Sequence, residues 1–442
     1  MKKRRLPLND ENTLLVVTSF PENDHEALPL AIHAKRSLIE LSKKQNILVL
    51  AEKLGKKMTH SENKSLLVQR VWRRNKPLTL LSVLGPVFKF AKIRNILIQF
   101  DFDVYGGITP TYILPFIVAV MKFLGKHVYF EFQHAPQEFA TLQHHQFQIY
   151  KLEIKQARFV MRKFWNLSRI YIMNAYIKFF YKVIGLLCDK VIVFEEDLRD
   201  KLRQHIKADK LVTIPVGVTE QQTLPKSRAK RKLGLSNDDF VVLVFGFFDW
   251  HKGTDWITKV FSEINTQNMK LLLVGGKNPA LKDNPAYQTY CKEVAKLARE
   301  SSRTTIVGFV NEHKLVKYYS AADVVALPYR EFMAAPSTLT HALGFHKPVI
   351  FSTTFIDYMK SPDFLQAMDQ AQITDRDIFF SIDKSDISDL LRLLRSDKQQ
   401  YNKLTTFSRL LAKKRKSTQL TRDYQTLVSK SYALSPRFAF SK

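Results

Sequence analysis

The residues whose types and spacing best suit chemistry are Gly246, Lys252 and the run Ser337-Thr338-Leu339. In Val242-Leu243-Val244-Phe245-Gly246-Phe247-Phe248-Asp249-Trp250-His251-Lys252-Gly253, an apolar run of strand length ends at Gly246. A loop with one lysine follows, and a helix is expected to begin near Asp255. A helix N-terminus offers unpaired N–H groups and a partial positive charge, and Lys252 adds a full charge beside it. That combination suits a phosphate. The same residues also read as an ordinary strand–helix turn with a solvated lysine. A second stretch runs Ala322-Asp323-Val324-Val325-Ala326-Leu327-Pro328-Tyr329-Arg330-Glu331 and resumes at Pro336-Ser337-Thr338-Leu339. Its strand ends at Leu327 or Pro328, and Ser337 is the expected N-cap of a helix running to Gly344. Ligands of open α/β sheets sit at the carboxyl ends of strands. Two helix starts at one such edge fit a diphosphate better than one.

Asp101-Phe102-Asp103 has the spacing of a metal-binding pair, and two carboxylates could hold a magnesium ion beside phosphates. It closes a strand of the first half, away from the loops above. Residues two apart in a strand share a face. The expectation is therefore a cleft-lining or acceptor-side role, or plain solvation, with no metal.

These groups need elements to position them. Apolar runs of strand length fall at 14–18, 47–50, 96–100, 127–132, 191–194 and 211–214, alternating with helix-period segments. After Pro215-Val216-Gly217-Val218 a second series begins at 240–245, 270–274, 305–306, 324–327 and 349–351, with helices expected at 282–300 and 311–321. Runs that are apolar on both faces belong to buried parallel sheets covered by helices. The fold class is α/β, two doubly wound Rossmann-like domains facing a cleft. The expected division is 1–218, 219–420, and a helical tail at 421–442 packing back toward the first domain.

With 442 residues, each of two domains can bury its own core. Two cysteines, Cys188 and Cys291, make neither a disulfide framework nor a zinc-like spacing, which fits a reducing compartment. The start of the chain lacks the apolar region of a signal peptide, and the most apolar run, 113–120, is stopped by Lys122 and Gly125. The net charge is +28, spread over both halves: 35 Lys+Arg against 19 Asp+Glu in residues 1–218, and 34 against 22 beyond. Such an excess calls for an anionic partner or surface. Lys151, Lys155, Arg158, Arg162 and Arg169 recur at helical spacing among Phe159, Trp165, Ile170 and Tyr171, with Lys178 and Lys182 after them. Arg70, Arg73, Arg74 and Lys76 cluster around Val71-Trp72. Either group reads as a membrane interface or as a solvated helix face. Charge alone would also allow nucleic acid, but no motif supports it. The expectation is a cytoplasmic protein held peripherally at the inner membrane face.

The second half resembles the donor domain of retaining GT-B glycosyltransferases of glycosyltransferase family 4. The resemblance rests on Phe245-Gly246…Lys252-Gly253, Leu272-Leu273-Val274-Gly275-Gly276, Gly308-Phe309-Val310, Tyr318 to Tyr329 with Ala322-Asp323, and Ala342-Leu343-Gly344…Lys347-Pro348-Val349-Ile350, in order and at matching spacing. The first half matches more loosely, through Thr18-Ser19-Phe20-Pro21, Gln99-Phe100-Asp101…Tyr105-Gly106-Gly107, Cys188-Asp189-Lys190-Val191-Ile192-Val193 and Ile214-Pro215-Val216-Gly217-Val218. The resemblance implies a nucleotide-diphosphate sugar as donor and no other cofactor. It places Lys252 on the diphosphate, with Gly246 letting the backbone approach and Ser337, Thr338 and Leu339 offering donors. Val310 falls near the base, and Gly276 and Arg330 line the donor side. His134 matches a histidine near the transferred sugar, or is simply a polar residue ending a strand. Asp101, Asp103 and Gly106 are acceptor-side candidates. The acceptor implied is lipid-linked or a polysaccharide, with retention of anomeric configuration and no metal. The chain departs from the family at Phe247, where an arginine is usual, and at Met333 and His341, where paired glutamates would fall. A Ser-Gly variant of that pair would fall on Pro336 and Ser337, and Pro21-Glu22-Asn23-Asp24 stands in place of a glycine-rich loop. These departures support an alternative, a non-catalytic scaffold or partner subunit of the same fold.

Overall fold

The computed structural model describes residues 9–22, 29–55, 58–136, 160–264, 268–278, 281–382 and 384–434. The chain divides into two compact units. One comprises Met1–Gln137, Ala175–Gly217 and Ser417–Lys442; the other comprises Glu138–Asn174 and Val218–Lys416.

Among the described residues the first unit holds an eight-stranded sheet. Its strands are β1 (Leu14–Val17), β2 (Ile47–Glu52), β3 (Thr59–Ser61), β4 (Leu66–Trp72), β5 (Asn95–Phe100), β6 (His127–Phe132), β7 (Lys190–Val193) and β8 (Leu211–Thr213). Their spatial order is β3-β4-β2-β1-β5-β6-β7-β8, parallel throughout except for β3 on β4. The central strands β1, β2 and β5 are buried at every residue, which is why they read as unbroken apolar runs. Right-handed crossovers put the helix Pro29–Leu41 on one face of this sheet. They put helices Leu84–Lys89 and Leu114–Phe123 and residues 175–187 of the helix Val160–Leu187 on the other. The C-terminal helix Ser417–Leu434 packs on Pro29–Leu41; Leu420 and Tyr424 join Leu38 and Leu41 in one core cluster.

Strands β3 and β4 do not stand out in sequence, and one basic cluster dissolves there. Arg70 lies inside β4, 1% exposed, and its Nη1 donates to Phe20 O (2.9 Å) and Glu52 O (2.8 Å). It is a core group rather than part of a surface patch with Arg73 and Lys76, which stay exposed. Lys151, Lys155 and Arg158 lie outside the described residues, and of Arg162 and Arg169 only the helical backbone is described.

The second unit holds a six-stranded parallel sheet: β9 (Phe240–Phe247), β10 (Met269–Gly276), β11 (Thr304–Gly308), β12 (Val324–Leu327), β13 (Val349–Ser352) and β14 (Phe379–Phe380), ordered β11-β10-β9-β12-β13-β14. The chain runs outward from β9 in one direction and from β12 in the other. The β9/β12 boundary is thus the switch point where strand order reverses, the place such sheets bind ligands. Asp323, just before β12, fixes that boundary. Its carboxylate accepts from Val241 N (2.8 Å) and pairs with Lys226 (2.6 Å) and Lys230 (3.2 Å). Ala322-Asp323 therefore has a structural reason to stand where it does.

Candidate functional site

Gly246 and Lys252 meet at the end of β9. Gly246 has φ 120°, a conformation glycine accepts readily, and a Cβ there would lie 2.6 Å from Lys252 Nζ. The lysine head therefore rests on the bare glycine backbone. It is half-buried, and among the described residues its Nζ makes no hydrogen bond or ion pair. Loss of solvent pulls its pKa below the usual lysine value, while the nearby Asp249 carboxylate pulls the other way. An ammonium that has lost water without gaining a partner favours an incoming anion.

The loop carrying Lys252 is fastened to the loop after β12. Gly253 has φ 66°, and a Cβ there would meet Pro328 O at 2.0 Å. Arg330 N donates to His251 O (2.7 Å), and Arg330 Nη1 donates to Trp250 O (2.7 Å). The same guanidinium grips Asp255 through Nη1 and Nη2, both at 2.8 Å, and lies 4.7 Å over the Trp250 ring. Its charge is matched inside the loop. The structure thus gives Arg330 a fastening job, with Tyr290 OH also donating to Asp255 (3.1 Å). Sequence reading did not single out Asp255, nor the buried pair His251 Nδ1–Asp249 Oδ1 (2.9 Å). Nothing in their spacing marks them, because their partners come from the fold.

The helix Ser337–Gly344 begins beside the same strand end. Its N-cap is Pro336, not Ser337, and no side chain caps it. Leu339 N and Thr340 N already bond Pro336 O (2.9 and 3.3 Å), so the first-turn amides of Ser337 and Thr338 precede the intrahelical ladder. Ser337 is exposed. Thr338 is buried, donates its hydroxyl to Phe245 O (3.0 Å) and shares a hydrogen bond with Tyr329 OH (3.1 Å). Leu339 is a core residue. Thr338 and Lys252 therefore converge on two consecutive residues, Phe245 and Gly246.

Gly276 pairs in register with Phe247 across β10 and β9. Val310 follows β11, half-buried against the core. Where the family usually has an arginine, the Phe247 ring lies 6.4 Å from that of Phe309, 16° from parallel. His341 is buried in ring contact with Phe245 (5.4 Å) and Tyr319 (5.7 Å), and Met333 O accepts from Tyr358 OH (3.0 Å). Neither position offers a carboxylate.

The first-unit candidates form their own group at the carboxyl edge of that sheet. Asp101 follows β5 and N-caps the short helix Phe102–Tyr105, its Oδ1 accepting from Asp103 N (2.8 Å). Asp103 is thus helical, so the expectation that the two carboxylates share a strand face does not hold. The αL cap Gly106 ends that helix against Asn75. His134 Nδ1 stands 3.9 Å from Asp101 Oδ2. Burial raises the pKa of both aspartates to about 6; at Asp103 the Asp101 charge adds to it, opposed by Arg74 and His134. Among the described residues no group of three or more His, Cys, Asp or Glu is arranged to hold a metal.

In sequence, residues 225–356 match the family described as Glycosyl transferases group 1. A stretch of 104 residues is 25% identical to an uncharacterised glycosyltransferase of Methanocaldococcus jannaschii, spanning 23% of this chain and about a quarter (25%) of that relative. In structure, the chain is similar to a sucrose-phosphate synthase of Thermosynechococcus elongatus (TM-score 0.70, 15% identity, 96% of this chain and 100% of that one). It is also similar to Anabaena HepE in complex with UDP and glucose (0.62, 14%, 95% and 99%). A third is WaaG, a glycosyltransferase involved in lipopolysaccharide biosynthesis (0.58, 12%, 94% and 99%). Residues 225–356 thus match the glycosyl transferases group 1 family in sequence, and the two Rossmann-like sheets have the GT-B fold.

Proposed function

We propose that the protein transfers a sugar from a nucleotide-diphosphate sugar to a lipid-linked or polysaccharide acceptor, with retention of configuration, at the cytoplasmic face of a membrane. The observation that carries the reading is Lys252: a half-buried ammonium without a partner among the described residues, resting on Gly246 at the switch point of the second sheet. As the bond to the anomeric carbon breaks, the departing diphosphate gains negative charge. Lys252 and the first-turn amides of Ser337 and Thr338 would stabilise that charge without a metal. Gly276 and Val310 would line the nucleotide side, and Arg330 would hold the loop that presents Lys252. On the first unit His134, paired with Asp101, would serve the transferred sugar, with Asp103 and Gly106 on the acceptor side. UDP bound to HepE supports a uridine nucleotide as the first donor to try.

Titration calorimetry with UDP and GDP tests the donor site. Lys252→Ala should weaken binding of the preferred nucleotide by about 30-fold or more, the worth of a charge-assisted contact in a desolvated site. Equal binding by the variant would remove the donor reading. A second reading, a non-catalytic partner subunit, is favoured by Phe247, Met333 and His341. Nucleotide binding without turnover of any nucleotide sugar, across a mass-spectrometric donor screen, would select it.

A further inference from the structure

We propose that the first unit docks on an anionic lipid bilayer through the face of its sheet that carries the helices Leu84–Lys89, Leu114–Phe123 and residues 175–187. The proposal rests on the membrane part of the function above and names its surface. The helix Leu114–Phe123 carries one charged residue, Lys122, and is otherwise apolar, yet it lies at the surface. Its inner face, Leu114, Ile117, Val118 and Met121, is buried on the sheet. Its outer face, with the exposed Tyr112 just before it, repeats at helical spacing: Phe116 is exposed, Ala119 and Val120 are half-buried, and Phe123 is 91% exposed. A surface helix whose outer as well as inner face is apolar departs from the usual amphipathic pattern, in which the outward face is polar.

The neighbours on that face extend the same character. Phe88 stands exposed on Leu84–Lys89, which packs beside Leu114–Phe123. Tyr176 joins the long helix to this group, its ring 4.3 Å from Tyr112 and its hydroxyl 3.2 Å from Thr111 Oγ1. Beyond it, Phe179 and Leu186 are exposed one helical stripe apart, flanked by exposed Lys178 and Lys182. Several large apolar side chains left open on one side of a sheet mark an interaction surface.

Charge selects the occupant. Residues 77–89, 114–123 and 175–187 contain no Asp or Glu. Lys89, Lys178 and Lys182 are exposed among the apolar groups, whereas Lys122 is tied to Asp189 (2.7 Å). Aromatic and aliphatic groups entering the acyl boundary, with lysines at headgroup level, match an anionic bilayer. A second copy would set basic face against basic face in a chain of net charge +28. No helix among the described residues is long and apolar enough to cross a membrane, so the contact is interfacial.

The test is co-sedimentation of the full chain with vesicles of phosphatidylcholine alone, and with phosphatidylglycerol added. The expected result is salt-sensitive binding to the anionic vesicles only. Phe116→Glu with Phe123→Glu should cut it about tenfold or more, since both rings would otherwise leave water. Lys178→Gln with Lys182→Gln should cut it less, and only on anionic lipid. The first unit's calorimetric transition, expected unchanged, reports that the variants are folded. Vesicle binding by wild type that the Phe116→Glu, Phe123→Glu protein retains would overturn this face while sparing the membrane reading. No vesicle binding by wild type would overturn both and leave the donor site standing. Dimers in light scattering that the same double variant breaks, without vesicle binding, would assign the face to a second copy instead.

Discussion

Lys252 and Glu131 show how two ionisable side chains reach opposite solutions to burial. Lys252 loses water at the end of β9 and keeps its charge available for an anion. Glu131, fully buried in β6, accepts hydrogen bonds from Tyr424 OH and from Gln99 Nε2 (3.1 Å). Burial still dominates there and raises its pKa from 4.5 to about 7. The folded state therefore holds this proton more tightly than the unfolded chain. The stabilisation is complete below about pH 4.5 and is lost as pH rises to about 7, on the order of 3 kcal/mol at most. Urea unfolding at about pH 5 and about pH 8 should show wild type losing stability with rising pH. Glu131→Gln should lose visibly less. Asp101 and Asp103, also raised, push in the same direction in both proteins. Identical pH slopes would mean that Glu131 does not titrate across this range.

At the scale of elements, the two loops at the β9/β12 boundary act as one piece because Arg330 bridges them. Its planar fork makes two parallel bonds to Asp255 while its backbone and Nη1 hold His251 O and Trp250 O. Lysine cannot reproduce that geometry. Arg330→Lys should cost about 1–3 kcal/mol of stability and weaken nucleotide binding by a few-fold, less than loss of Lys252 itself. A thermal melt and amide exchange at Trp250 to Gly253 would check it; unchanged exchange there would mean the loop is held by Gly253 and Pro328 alone. The strands were readable because their burial on both faces leaves unbroken apolar runs. β4 was not, since Gln69 and Arg70 interrupt it and Arg70 finds its partners only after β2 and the Phe20 turn are in place. Ser337 looked like a cap by type, yet Pro336 takes the position because its extended backbone already accepts the first bonds of the helix.

For the whole molecule, the end of the chain completes the beginning. Ser417–Leu434 brings Leu420 and Tyr424 into the core formed by β1, β2 and Pro29–Leu41, and Tyr424 covers the buried Glu131. Ending the chain at Lys416 would expose that core and leave a buried carboxyl short of a donor. The expected loss is several kcal/mol, a large share of the roughly 5–15 kcal/mol that holds a domain together. Calorimetry should show the first unit's transition lowered or lost. Nucleotide binding by the second unit should survive, since Gly246, Lys252, Arg330 and Thr338 all lie between Val218 and Lys416. An unchanged calorimetric profile would show the helix to be dispensable.

The sequence by itself determined the alternation of strands and helices, the two-sheet α/β class, and the Gly246–Lys252 loop. Those follow from local patterns: apolar runs, glycine conformations and residue order. Tertiary structure alone decided which charges are spent and which remain. Arg330 is matched by Asp255, Arg70 is sealed in the core, Thr338 is tied to Phe245, and Lys252 stays without a partner among the described residues. Charge pairing depends on residues brought within about 3–4 Å from distant parts of the chain, and no local spacing records those distances. The loop with its single lysine therefore remains the centre of the proposed donor site. What the fold added is the glycine beneath that lysine and the absence of a described partner above it.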